Sequence, residues 1–295
     1  MADYPVHMNT TPEVKAFFDP ATNTISYVVR DPDSDSCAIV DSVMDIDYAA
    51  GRITYDNADA IIAYVQEQGL KVEWLIETHV HADHLSAAPY IQEKLGGKIG
   101  IGSQIKTVQD TFGKVFNEGT EFQRDGSQFD RLFDDGDTYS VGQMECVAIH
   151  TPGHASNHLC YFLEEERTLF SGDHIMNGST VVIAPPDGDM AAYLDSLEKV
   201  RIKRLRAIAP GHGHLITEPY DKIDEYVAHR LEREAQVLAA VKGGTTTIDA
   251  IVAALYPGLV EELVPRAAQS VHAHLRKLAA DGAVTGDDPE GAWTA

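Results

Sequence analysis

A cluster of three histidines and one aspartate follows directly on a short apolar run, and it limits the folds that this chain can adopt. Residues 72–76 are apolar except for Glu73 and are rich in strand-forming side chains, which predicts a buried strand. The residues that come immediately after it include His79, His81, Asp83 and His84. Imidazole and carboxylate are preferred ligands of zinc, iron and manganese, and a loop at a strand end can turn several of them toward one point. The cluster therefore predicts a metal site at the edge of a sheet.

Three later loops each place a potential ligand beside a glycine, where the backbone can turn tightly. The potential ligands are His154, Asp173 and His212. Apolar runs that predict strands lie at residues 25–29, 38–41, 72–76, 98–101, 145–150, 159–163, 168–171 and 207–209. Helical spacing of apolar residues lies between them, at residues 57–68, 86–95 and 190–200. Strands with interleaved helices predict an α/β layered domain.

The pattern changes after Pro219. Residues 220–241 predict a long amphipathic helix, and two further helices are predicted at residues 247–255 and 265–280. A tail hairpin that opens at Asp281 completes the outline of a winged helix. We therefore expect a catalytic domain over residues 1–219 and a helical, winged-helix-like module over residues 220–295.

Charge and composition exclude several classes of protein. The formal net charge is −23, which disfavours phosphate backbones, and residues 220–295 hold seven Lys and Arg against twelve Asp and Glu. We expect a small-molecule substrate, no nucleic-acid partner, and a winged helix that serves packing or a homodimer. No apolar run is long enough to span a membrane, and residues 1–10 lack a signal-peptide pattern. The three cysteines have no disulfide framework, so the expected location is the cytoplasm.

The loops taken together resemble the metallo-β-lactamase superfamily, whose five motifs are matched in order over roughly residues 15–215. This resemblance implies an αββα sandwich with two metal ions, expected to be zinc, at the sheet edges. It implies that the first ion is held by His79, His81 and His154. It implies that the second is held by Asp83, His84 and His212, with Asp173 between the two ions.

The same resemblance implies hydrolysis by a metal-bridging hydroxide, so no serine or cysteine nucleophile is needed. Asp173 would orient that hydroxide. Asp83 would be a ligand of the second ion, or an outer-sphere base if one ion binds. Candidate substrates are esters, thioesters, lactones, β-lactams and phosphodiesters, with broad specificity.

The two halves of the chain resemble different branches of that superfamily. Residues 1–150, with motifs such as FFDPATNT at 17–24 and DGSQFD at 125–130, look like the persulfide dioxygenase-like branch. That branch implies one Fe²⁺ on His79, His154 and Asp173. Residues 151–295, with SGDHIM at 171–176 and HRLERE at 229–234, look like the hydrolase branch with a C-terminal winged helix, which includes an endoribonuclease.

The sequence therefore predicts that two halves from different branches are joined near residues 150–158. The join would come from natural recombination or from a laboratory chimera. We favour the chimera because each half is typical of its own branch. A metal-dependent hydrolase is the favoured function, because the seven ligands are complete whereas the glutathione-holding residues of the dioxygenase branch cannot be matched. An iron persulfide dioxygenase and an endoribonuclease are the alternatives.

Two further residues have competing interpretations. Asp41, at the end of a predicted strand, could accept a hydrogen bond from a ligating imidazole or could cap a turn. His158, four residues after His154, could face the cleft and bind substrate or could be structural.

Overall fold

A computed structural model of the protein describes residues 12–47, 50–115, 123–201, 203–286 and 288–295. The opening stretch 1–10, where the sequence shows no signal-peptide pattern, lies outside the described residues.

Thirteen strands and seven α-helices form within the described residues. The strands are β1 (Glu13–Phe18), β2 (Ile25–Arg30), β3 (Ser36–Val40), β4 (Asp45–Asp47), β5 (Arg52–Thr54), β6 (Lys71–Ile76), β7 (Lys98–Gly102), β8 (Arg131–Phe133), β9 (Thr138–Val141), β10 (Met144–His150), β11 (Leu159–Leu163), β12 (Thr168–Gly172) and β13 (Ala207–Pro210). The helices are α1 (Asp56–Glu67), α2 (Ala88–Leu95), α3 (Ile105–Val115), α4 (Met190–Arg201), α5 (Pro219–Lys242), α6 (Ile248–Leu255) and α7 (Val264–Ala280).

Two sheets pack face to face and are covered by helices on their outer sides. The first sheet has the strand order β1-β2-β3-β6-β7-β8, and the second has the order β13-β12-β11-β10-β9. Tyr27 and Ile76 of the first sheet share a buried apolar cluster with Tyr161 and Phe170 of the second. Helices α1 and α2 cover the outer face of the first sheet, whereas α4 and α5 cover the second. This is the αββα sandwich that the resemblance implied.

The C-terminal helices have an apolar core of their own, and α5 contributes to two cores. Ile223 and Tyr226, early in α5, are buried with the second sheet. Val237 and Val241, near its end, are buried with α6, α7 and Trp293. Thr285 and Thr294 pair in an antiparallel bridge, as expected of a tail hairpin.

Most of the elements predicted from apolar spacing are confirmed. One difference lies at Asp41, which was predicted as the last residue of a strand. The strand β3 ends at Val40, because Asp41 adopts a left-handed backbone conformation with φ of 51°. The turn aims the Asp41 carboxylate back at the loop after β6, as described below.

None of the helices in the described part of the chain combines the length and the apolar character that crossing a membrane would require.

Candidate metal centre

Four strand ends deliver the predicted ligands to one edge of the sandwich. The loop after β6 carries His79 and His81 and then forms a short 3-10 helix, Ala82–His84. In the second sheet β10, β12 and β13 run in the same direction, so their carboxyl ends lie at the same edge. His154, Asp173 and His212 follow these three strand ends.

The two sheets are joined at this edge by backbone hydrogen bonds. Leu159 N–H, at the start of β11, donates to Thr78 O over 2.9 Å, and Ile25 N–H of β2 donates to Gly211 O over 2.8 Å. Tyr161 Oη adds a bond from the second sheet to the Glu77 carbonyl, over 3.0 Å. The ligand loops are therefore fixed relative to one another by main-chain contacts.

The structure brings the seven predicted ligands together in two adjacent groups. In each group the potential ligand atoms lie within 4.8 Å of one another. The first group is His79, His81 and His154, and the second is Asp83, His84, Asp173 and His212.

Asp173 lies between the two groups. Its Oδ2 atom is 3.6 Å from His154 Nε2, which belongs to the first group. Its Oδ1 atom is 3.3 Å from both His84 Nε2 and His212 Nε2, which belong to the second. One carboxylate therefore faces both groups, which is the position of a bridging ligand.

Backbone carbonyls orient two of the imidazoles. His154 Nδ1 lies 2.6 Å from Val182 O, and His212 Nδ1 lies 2.9 Å from Asn23 O. Because a carbonyl can only accept, each Nδ1 must carry a proton, and each ring turns its Nε2 toward the centre of the cluster. This is the support that metal-ligating histidines usually have.

Several atoms at the centre are buried and have no hydrogen-bond partner. His79 Nε2 is one of them, and His84 Nε2 and Asp173 Oδ1 have only each other, 3.3 Å apart, and His212 Nε2, without an aligned hydrogen bond. Orphaned polar atoms are costly inside a protein, and a set of nitrogen and carboxylate oxygen atoms facing one point is what a divalent cation needs. The residues present therefore fit a metal site.

The electrostatic environment differs between the two groups. Burial lowers the pKa of His79 well below its usual value, and burial together with His154 lowers that of His81 to about 4, so both imidazoles are neutral. Burial would lower the pKa of His212 too, but the carboxylates of Asp173 and Asp83 raise it to about 10. In the second group the protonated His212 imidazole therefore offsets the negative charge of these carboxylates. A bound metal cation would take over that role.

Asp41 supports His79 through an intermediate residue. Its two carboxylate oxygens accept from Thr78 N–H over 2.7 Å and from Thr78 Oγ1 over 2.9 Å. Thr78 Oγ1 in turn lies 3.0 Å from His79 Nδ1. No direct bond from an imidazole to Asp41 forms in the described structure, so this carboxylate orients the threonine that contacts the histidine.

His158 does not face the cleft, and its interpretation as a substrate-binding residue is wrong. The side chain is fully buried. Its Nδ1 lies 2.9 Å from Thr151 Oγ1, and its Nε2 accepts a hydrogen bond from Asp173 N–H over 3.2 Å. The ring therefore connects the start of the loop that carries His154 with the loop that carries Asp173.

Sequence profiles of two known families match parts of the chain. The profile described as metallo-beta-lactamase superfamily matches residues 20–212. The profile described as beta-lactamase associated winged helix domain matches residues 247–293.

Among curated proteins, a probable metallo-hydrolase of Burkholderia pseudomallei is 47% identical over 197 residues, covering 63% of this chain and 67% of that protein. An atrochrysone carboxyl ACP thioesterase of Aspergillus chevalieri is 30% identical over 233 residues, covering 76% of this chain and 68% of that protein. A beta-lactamase hydrolase-like protein of Agrobacterium fabrum is 45% identical over 150 residues, but the match covers 35% of its length.

Among solved structures, a metallo-beta-lactamase family protein of Thermus thermophilus superposes with a TM-score of 0.72 at 21% identity. The superposition covers 96% of this chain and 98% of that one. At this identity the likeness concerns the fold, which here includes the C-terminal region as well as the sandwich.

Proposed function

The chain belongs to the metallo-β-lactamase superfamily, and from this premise we propose that it is a metal-dependent hydrolase of small-molecule substrates. The observation that carries the proposal is the position of Asp173, whose two oxygens face one ligand group each. A mononuclear centre at the first group would use only the oxygen that faces His154 and would leave the other oxygen, beside His84 and His212, without a metal.

We propose that the centre holds two zinc ions. His79, His81 and His154 would hold the first ion, while Asp83, His84 and His212 would hold the second, with Asp173 shared. When bound, two adjacent divalent ions lower the pKa of a water between them to near neutrality and polarise a carbonyl or phosphoryl oxygen. Neutral imidazoles at the first group favour this assignment, since a ligand nitrogen must be unprotonated.

The side chains of the centre have separate tasks in this proposal. Asp173, with a pKa held well below its usual value by His84 and His212 against the opposing effect of burial, stays ionised and orients the attacking water. Asp83 is nearly half exposed, with 44% of its side chain accessible. It would be a ligand when two ions are present, and an outer-sphere base, with Oδ2 3.5 Å from His212 Nε2, if the second position is empty.

We propose thioesters as the first substrate class to test, followed by simple esters. The relative from Aspergillus chevalieri is named as a thioesterase, and its match extends over 76% of this chain. Lactones, β-lactams and phosphodiesters are chemically accessible to the same centre. We further propose that the protein acts in the cytoplasm, without a nucleic-acid partner. A homodimer and a join near residues 150–158 remain predictions.

An iron persulfide dioxygenase would use His79, His154 and Asp173 alone. It would leave the second group without a chemical role, although two imidazoles, of His84 and His212, converge there on Asp173 Oδ1 at 3.3 Å. The second group therefore favours the dinuclear hydrolase.

The deciding experiment is elemental analysis of protein purified without added metal, with turnover measured on the same sample. An acyl-pantetheine thioester and a p-nitrophenyl ester are suitable substrates. About two zinc per chain together with hydrolysis would support the proposal. One iron per chain with oxygen uptake on glutathione persulfide, and no hydrolysis, would overturn it.

A further inference from the structure

We infer that Arg230 of helix α5 is a positioning residue for His154, acting through the backbone at Val181 and Val182. The inference rests on the proposed metal centre. It gives the long helix after the sandwich a part in the geometry of that centre.

Arg230 is a buried cation held by a backbone carbonyl. Its side chain is 3% exposed, and one terminal nitrogen donates to Val181 O. The guanidinium also lies over the ring of Tyr193, 5.3 Å from the centroid. No carboxylate of the described residues forms an ion pair with it. A guanidinium is costly to bury, so a chain that buries one without a carboxylate uses it for a specific contact.

The carbonyl that Arg230 holds is adjacent to the one that orients His154. Val182 O, one residue further along the chain, accepts from His154 Nδ1 over 2.6 Å. Two consecutive carbonyls of this irregular segment are thus held by hydrogen bonds. Arg230 of α5 holds the Val181 carbonyl, and His154 holds the Val182 carbonyl. The peptide plane between Val181 and Val182 is held through its oxygen, which limits how far the Val182 carbonyl can turn.

The same helix also holds the beginning of this segment. Tyr226 lies one turn before Arg230, and its hydroxyl accepts from Met176 N–H over 3.2 Å. The hydroxyl lies 2.8 Å from Ser179 O as well. The segment between β12 and α4 has no regular ladder to satisfy its backbone groups, so these side chains from α5 replace one.

Loss of the Arg230 contact should therefore act on His154 more than on the rest of the centre. Once Val181 O is released, the Val182 carbonyl can turn away and His154 Nδ1–H loses its acceptor. Removing the partner behind a ligating histidine typically costs about 10- to 100-fold in metal affinity. His212 keeps its own acceptor, Asn23 O, on a different loop and provides an internal reference.

The test compares Arg230→Met with Arg233→Met. Arg233 lies on the same helix, donates to Gln236 and packs over Tyr256, away from the Val181 segment. Zinc affinity is measured by competition with a chromophoric chelator, and thermal unfolding of the metal-free proteins shows any general loss of stability. In the Co²⁺-loaded proteins, NMR follows solvent exchange of the hyperfine-shifted ring N–H signals of His154 and His212.

We expect Arg230→Met to weaken binding of one zinc by at least tenfold and to speed exchange of one ring N–H signal. Arg233→Met should change neither. Equal zinc affinities and equal exchange rates in the two variants would overturn the inference. If Arg230→Met does not fold, Arg230→Gln replaces it in the same comparison with the same two readings. A wild-type protein that binds no metal would instead overturn the proposed function, so the two failures are distinguishable.

Discussion

Gly153 approaches the backbone of Tyr193 so closely that a Cβ atom at Gly153 would lie 2.4 Å from the Tyr193 Cα. Its φ of 134° is also one that L side chains rarely adopt. This contact fixes the residue immediately before His154 against helix α4. The close approach explains in physical terms why a glycine precedes this ligand.

Gly153→Ala should lower the free energy of unfolding by on the order of 3 kcal/mol or more and weaken zinc binding, because backbone must move on one side of the contact. Gly136→Ala is the matched control, since that glycine also has a positive φ but no atom within 4 Å of its added Cβ. It should cost about 1 kcal/mol. Denaturant unfolding measures both, and equal losses would contradict the argument from the close approach.

Asp173→Ala should reduce kcat/KM for ester or thioester hydrolysis by about a thousandfold, equivalent to ~4 kcal/mol of transition-state stabilisation. The reason is that each ligand group loses one oxygen of the carboxylate that the two groups share. Asp249→Ala, on the exposed side of α6, should leave the rate unchanged. Full activity in Asp173→Ala would show that the hydrolytic mechanism proposed above is wrong.

Zinc affinity should rise with pH across the range in which His212 titrates. The pKa of His212 is raised to about 10, so at neutral pH a proton occupies the imidazole that the ion requires. Isothermal titration in buffers of different ionisation enthalpy should detect proton release on zinc binding. If zinc binding released no proton at pH 7.5, the result would contradict the raised pKa of His212.

The folding stability of the metal-free protein should depend on pH in the opposite direction to zinc affinity, and should fall as the pH rises. A group whose folded-state pKa is raised stabilises the fold fully below its unfolded value, which is about 6.5 for histidine. For His212 this contribution should be lost as the pH rises toward about 10. This contribution is measured as the difference in free energy of unfolding between wild type and His212→Gln. Both proteins are unfolded with denaturant in the presence of chelator, at pH 6 and at pH 10. A difference in stability that does not shrink at pH 10 would be the contrary result.

Arg276→Gln combined with Lys277→Gln should leave affinity for single-stranded RNA unchanged. Lys277 is already paired, 3.0 Å from Glu234 and 2.8 Å from Asp281, and the net charge of −23 opposes binding of a polyanion. Fluorescence anisotropy at two salt concentrations is the measurement. A salt-dependent affinity that the double variant abolishes would assign the winged helix to RNA.

His158→Leu should destabilise the protein by about 2 kcal/mol, because Thr151 Oγ1 and Asp173 N–H lose a buried partner. His229→Leu, on the partly exposed side of α5, is the matched substitution and should cost less than about 0.5 kcal/mol. If the two variants unfold at the same denaturant concentration, the His158 contacts do not carry the stability assigned to them.

The sequence predicted the ligand-bearing loops well, since each follows an apolar strand and contains a residue type with few structural uses. It also predicted the elements that bury a regular apolar face. Strand β1 was missed because all but one of its residues are exposed, which hides any alternation. Helix α3 was missed too, although it buries Ile105 and Val108.

The support behind the ligands was mostly beyond prediction. Val182 orients His154 through its carbonyl, which every residue type possesses, so no side chain in the sequence marks that position. The two interpretations of His158 could not be separated from the sequence, because nearness to His154 along the chain does not report which way a ring points; the structure supports the structural one. Asp41 was recognised as relevant, but its action through Thr78 depends on a left-handed turn that the sequence did not indicate.

The convergence of four strand ends on one metal centre affects how the chain unfolds. Any ion shared by His84 and His212 would be a cross-link between points separated by roughly 130 residues, and a loop of that size restricts the unfolded chain by a few kcal/mol in the loop-entropy view. Unlike a disulfide, such a cross-link is removed by a chelator or by acid. The protein would then have two lifetimes before proteolysis, a long one when loaded and a short one when stripped, set by metal supply.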